Sequence, residues 1–132
     1  MPSQSDASIK LLYAVDQGTF FTIDDVALND PFDCIMNVEV GATLRATVND
    51  SVLRVAIRNL TQSNTLQTVT VTRIIPPDSV PFLAQERLNF NAPAVGGAVA
   101  GDVLQAVASY KVRAGILTDF STAESNTFVV SD

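Results

Sequence analysis

The chain has 132 residues, 47% of them hydrophobic and only 17% charged, with eight Lys and Arg against 14 Asp and Glu for a net charge of −6. That length suits a single domain with a substantial core, and the composition is opposite to that of a disordered chain. The absence of any basic run excludes the clustered positive footprint of a nucleic-acid binder and disfavours an anionic membrane surface. No stretch approaches the roughly 20 apolar residues of a membrane helix.

Residues 1–7 read as a frayed tail and residues 8–132 as one domain. The opening, Met1-Pro2-Ser3-Gln4-Ser5-Asp6, carries neither the basic nor the apolar region of a secretory signal, so the expected location is cytoplasmic. From Ile9 to Val15 the odd positions form an apolar face. Alternation of this kind marks a half-buried strand. Phe20 to Leu28 offers a further strand.

From Cys34 to Val48 the even positions are apolar, a long run in which Gly41 is expected to mark a bend or turn. A tight turn at Asn49-Asp50 would pair this run with the strand Val52 to Leu60. It would place Arg45 directly opposite Arg54, with Arg58 further along the same face. Leu66 to Ile75 is the next strand, stopped by Pro76-Pro77 because proline has no N–H for the ladder. Leu83 to Phe90 follows.

Ala94 to Gly101 reads as a glycine- and alanine-rich connection. It lacks the Gly-Lys-Ser/Thr ending of a phosphate loop. The clearest alternation runs from Leu104 to Ile116, with Gln105, Ser109, Lys111 and Arg113 on the polar side. Thr127 to Val130 closes the chain. Seven to nine strands and no helical periodicity predict an all-β, two-sheet antiparallel sandwich of immunoglobulin-like architecture, with a jelly roll or β-barrel as the alternative. The immunoglobulin cysteine pair and core tryptophan are absent. Architecture alone supplies no function.

Candidate sites are few. Asp24, Asp30 and Asp33 lie in an acidic segment that could converge on calcium, which takes about six to eight oxygen ligands. The spacing is not that of an EF-hand, and aspartates are also ordinary turn formers. Arg45, Arg54 and Arg58 form a candidate anionic-ligand or partner site, because guanidinium groups grip carboxylates and phosphates. Glu39 or solvent screening would otherwise relieve their repulsion.

The sequence has no histidine, which removes histidine-based triads. Its three glutamates, Glu39, Glu86 and Glu124, fall in no motif for a paired-carboxylate hydrolase. Cys34, the single cysteine, has Ile35 and Met36 as neighbours and reads as a buried thiol. The sequons at Asn49 and Asn59 carry little weight without a secretion signal.

The expectation is therefore a non-enzymatic interaction or assembly module without a cofactor, self-associating as a homo-oligomer or binding a protein partner. The alternative is a lectin-like carbohydrate binder that uses the polar stretches Thr61–Thr68 and Ser121–Thr127, with calcium in the acidic loop.

Overall fold

The computed structural model describes residues 7–132. Of the expected tail, residues 1–6 lie outside the described residues, and Ala7 already opens the first strand. Nine strands form two sheets: β1 (Ala7–Asp16), β2 (Asp25–Ala27), β3 (Phe32–Val40), β4 (Asp50–Asn59), β5 (Asn64–Ile74), β6 (Phe82–Phe90), β7 (Val103–Ala114), β8 (Leu117–Glu124) and β9 (Phe128–Ser131). Sheet A has the order β1-β3-β6. Sheet B runs β2-β9-β7-β4-β5, with β8 also paired to β7. This is the expected immunoglobulin-like sandwich. One departure is that β2 pairs with β9 in parallel.

The core is set by the inward faces of β4 and β7. Leu53 opposes Tyr110, Val55 opposes Ala108 and Ile57 opposes Ala106, and all six are buried. Large residues thus stand across from small ones, which lets the layer fill without voids. Sheet A supplies Cys34, Met36, Val38 and Val40, and Phe32 stacks on Phe90 at 5.5 Å and meets Phe128 edge-on at 5.5 Å.

Polar groups close the two sides of the sandwich. On one side the inward Asp119 and Ser121 of β8 accept backbone N–H groups of β1, from Ala7 at 2.7 Å and from Ile9 at 3.0 Å. On the other side Arg73 of β5 grips Glu86 of β6 with two hydrogen bonds. Gln67 there exchanges hydrogen bonds with the backbone of Asn91, at 2.8 and 2.9 Å.

Three expectations need correction. First, the odd positions of β1 do not form a single inward face. The register with β3 shifts between Ile9 and Leu11, so Lys10 is an extra residue and the phase flips. Ala7 and Ile9 point inward before the bulge, Leu12 and Ala14 after it. Leu11 is consequently 54% exposed.

Second, the run from Cys34 does not continue as strand to Val48. Ala42–Arg45 is a helical turn, α1, and Ala46 is exposed. Leu44 and Val48 stay buried because residues four apart share a face in a helical turn as well as in a strand. Third, the Asn49-Asp50 hairpin does not form. β4 pairs with β5 and β7, not with the segment before it.

Residues 17–23 fold back over the outer side of sheet A. Thr22 bridges Val15, and the Ile23 N–H reaches Ala14 O at 3.2 Å. This strap explains why Val15, Asp33 and Ile35 are buried although their register places them on the outward face.

Candidate interaction surface

The outward side of sheet B is a flat face built from β5, β4, β7 and β8 in parity with the buried residues beneath it. Register fixes its rows. Thr72, Val52, Lys111 and Phe120 lie across one row, and Thr70, Arg54, Ser109 and Thr122 across the next. Ile74, Asp50, Arg113 and Thr118 lie on one side of these, and Thr65, Arg58 and Gln105 further along. Four of the eight basic residues of the chain thus share this face.

Their surroundings differ. Arg113 is spent on Asp50 in a two-bonded pair, which holds the Asp50 carboxyl below its ordinary range. Arg54, Arg58 and Lys111 have no carboxylate within 4.0 Å among the described residues. Arg58 donates to Thr65 Oγ1, and the Lys111 ammonium lies 6.0 Å from the ring centre of Phe120. Lys111 is the diagonal neighbour of Arg54, about 7 Å away at the backbone. Two charges at that distance in water repel by only about 0.6 kcal/mol, so the face is tolerated in isolation.

Of the three arginines singled out from the sequence, two meet here and one does not. Arg45 sits in α1, donates to Pro76 O and Pro81 O at 3.3 Å each, and places its guanidinium 5.3 Å from the Phe82 ring centre. It fastens a loop. The pairing with Arg54 is lost because its segment is helical, and Arg54 stands opposite Ser109 and Thr70 instead. Lys111 was visible as an outward residue of its strand; only the pairing of β4 with β7 puts it beside Arg54.

The acidic segment is also dispersed. Asp33 is 1% exposed, and its Oδ2 accepts the Gly18 N–H at 2.9 Å and Arg87 Nη1 at 2.7 Å. Arg87 donates onward to Thr19 O at 2.6 Å and lies 4.9 Å from the Phe20 ring centre. Asp33 therefore anchors the strap. Asp24 and Asp30 are exposed. Asp30 lines an open concavity of about 440 Å³ with Asp16, Gln17, Asp25 and Ser131. Among the described residues no group of three or more Cys, Asp or Glu side chains is arranged to hold a metal ion.

The polar stretches assigned to sugar hydroxyls are largely strand. Asn64 begins β5, and Ser121–Glu124 belongs to β8, where Ser121 is used on β1. The three glutamates stand apart: Glu39 pairs with Lys10 at 2.9 Å, Glu86 with Arg73, and Glu124 opposes Val107. A second depression of about 370 Å³, on sheet A, is lined by Asn37, Val38, Leu83, Ala84 and Gln85, none of them titratable.

Cys34 is fully buried in the core, and burial, reinforced by the Asp33 charge, pushes its thiol up to about 12. In the connection before β7, Asp102 Oδ2 accepts Val99 N–H at 3.0 Å, Asn59 Nδ2 at 2.8 Å and Gln62 Nε2 at 2.8 Å. These bonds, the Val99 one foremost, hold its carboxyl below the ordinary range.

No family model and no curated protein matches the chain. Among solved structures it is similar to a bacterial adhesin from Mobiluncus mulieris containing intramolecular disulfide, isopeptide and ester bond cross-links. That likeness has a TM-score of 0.48 and 11% identity over 96% of this chain and 49% of the adhesin, so the chain spans about half its length. It is also similar to the CooA pilin subunit from enterotoxigenic Escherichia coli, with a TM-score of 0.42 and 15% identity over 92% of this chain and 99% of the subunit.

Proposed function

We propose that the chain is a non-enzymatic interaction module that docks an acidic protein surface on the outward face of sheet B. One observation carries this reading. In a chain where acids outnumber bases, Arg54, Arg58 and Lys111 lie on one flat face without a carboxylate partner. The hydroxyls of Thr65, Thr70, Thr72, Ser109 and Thr122 lie among them and can complete hydrogen bonds to carboxylates. Charges set out this way steer encounter and fix partner choice more than they add raw affinity. The simplest partner is another copy of the chain.

A fluorescent oligoglutamate peptide tests the face by anisotropy at low ionic strength. Binding is expected, weakening with added salt. Arg54→Glu should weaken it about fivefold, equivalent to about 1 kcal/mol. Lys10→Glu changes the net charge equally but lies on sheet A, and should change binding little. Equal losses in the two variants would mean that only net charge matters and would overturn the proposal.

A further inference from the structure

We propose that the acidic surface taken by this face is the acidic corner of a second copy, so that copies join head to tail. This rests on the docking reading above and names its partner. The corner lies where β1 ends and where β2 and β9 form the edge of sheet B. Asp16, Asp25 and Asp30 line its concavity, and Asp24 and Asp132 flank the same strands. None of these five carboxylates takes an ion pair or a side-chain hydrogen bond among the described residues. No Lys or Arg occurs between Asp16 and Asp33.

The chain therefore carries two surfaces of opposite charge, each left without partners inside the fold. The face lies on β4 and β7, the corner on β2 and its neighbours, so one molecule does not satisfy its own two surfaces. Two different patches in contact make a heterologous interface, which closes into a ring or continues as a filament according to the rotation between copies.

The size of the face sets the strength. Four strands at about 4.8 Å spacing and eight residues of length give roughly 19 by 27 Å, or about 500 Å². Standard interfaces bury about 800 Å² per partner, so this contact belongs to the weak, salt-sensitive class. Phe120, 63% exposed beside Lys111, adds an apolar element at the rim.

Sedimentation velocity on the whole chain tests this, with concentrations up to about 200 µM and salt from about 20 to 500 mM. The neutralising variants are Arg54→Gln/Lys111→Gln for the face and Asp25→Asn/Asp30→Asn for the corner, each checked for an unchanged circular dichroism spectrum. The wild type is expected to grow beyond monomer with concentration at low salt and to dissociate at high salt. Each variant alone should associate about tenfold more weakly, the equivalent of about 1.4 kcal/mol.

An equimolar mixture of the two variants keeps one intact face and one intact corner. It should form one-to-one pairs that do not grow further. Variants that associate like the wild type would overturn the proposal, as would a mixture that stays monomeric while the wild type assembles. A strictly monomeric wild type that still binds oligoglutamate would overturn self-docking and leave the docking reading standing. Loss of both would remove both.

Discussion

Asp33→Ala removes the anchor of the strap over sheet A. The Asp33 Oδ2 atom holds two hydrogen bonds, one from Arg87 at 2.7 Å and one from the Gly18 N–H at 2.9 Å. Bonds to a charged group contribute about 1.5–3 kcal/mol each. Two effects reduce the sum. The Arg87 side chain is 28% exposed, so it regains water and keeps its bond to Thr19 O. Asp33 Oδ1 has no partner in the native state, and removing a buried orphan returns about 1 kcal/mol. A net loss of about 2–3 kcal/mol remains, or roughly 8 °C in melting temperature for a chain of this size.

Urea denaturation gives the magnitude, with the midpoint falling at unchanged slope. A parallel digestion with chymotrypsin reports the strap itself, since release should speed cleavage at Phe20 and Phe21, both exposed already. In a double-mutant cycle with Arg87→Ala, the pair should couple by about 1–2 kcal/mol. A loss below about 0.5 kcal/mol with unchanged digestion would refute this account of Asp33. Because Asp33 is committed to Arg87, millimolar calcium is expected to leave the wild-type melting curve in place.

Asp102 has a depressed native pKa, so its contribution to stability is fully present above the unfolded-state value of about 4 and is lost as pH falls through the native value. Asp102→Asn should therefore show a smaller drop in urea midpoint between pH about 5 and pH about 2 than the wild type. Cys34, buried and with its thiol pushed up to about 12, should resist Ellman's reagent at neutral pH until denaturant is added. Gly96→Ala would bring a methyl group to 3.0 Å from Leu66 Cβ and from its carbonyl oxygen. The backbone oxygen gives way poorly, so a cost of about 1–3 kcal/mol is expected by thermal melting.

Strands with one buried face and one wet face were legible, because burial imposes a strict period of two. The core faces of β4 and β7 follow directly from Val52–Leu60 and Leu104–Ile116. β8 was not legible. Its inward residues are Asp119, Ser121 and Ala123, two of them polar because they receive the N–H groups of β1, so no apolar alternation marks it. The shift at Lys10 was equally hidden, since both phases of β1 are apolar: one packs in the core and the other lies partly under the strap. For the surface, parity alone placed Arg54 and Arg58 together. Their meeting with Lys111 depends on a pairing between strands about 50 residues apart, and no local pattern encodes such a pairing.

The eight cations divide by what they repair. Lys10 answers Glu39 at the bulge, Arg45 fastens the loop after β5, and Arg73 closes the open side of the sandwich. Arg87 holds the strap, and Arg113 satisfies Asp50 where β4 begins. Each of these sits where backbone or charge needed a partner. Arg54, Arg58 and Lys111 repair nothing of that kind: they occupy mid-strand positions whose inward neighbours already define the core. Threonine or serine at those positions would serve the strands as well, as Thr70, Thr72 and Ser109 do alongside. Three unpaired cations on a sheet face that folding does not require are best accounted for by something outside the fold. In this molecule the complementary charge lies at the corner of the next copy.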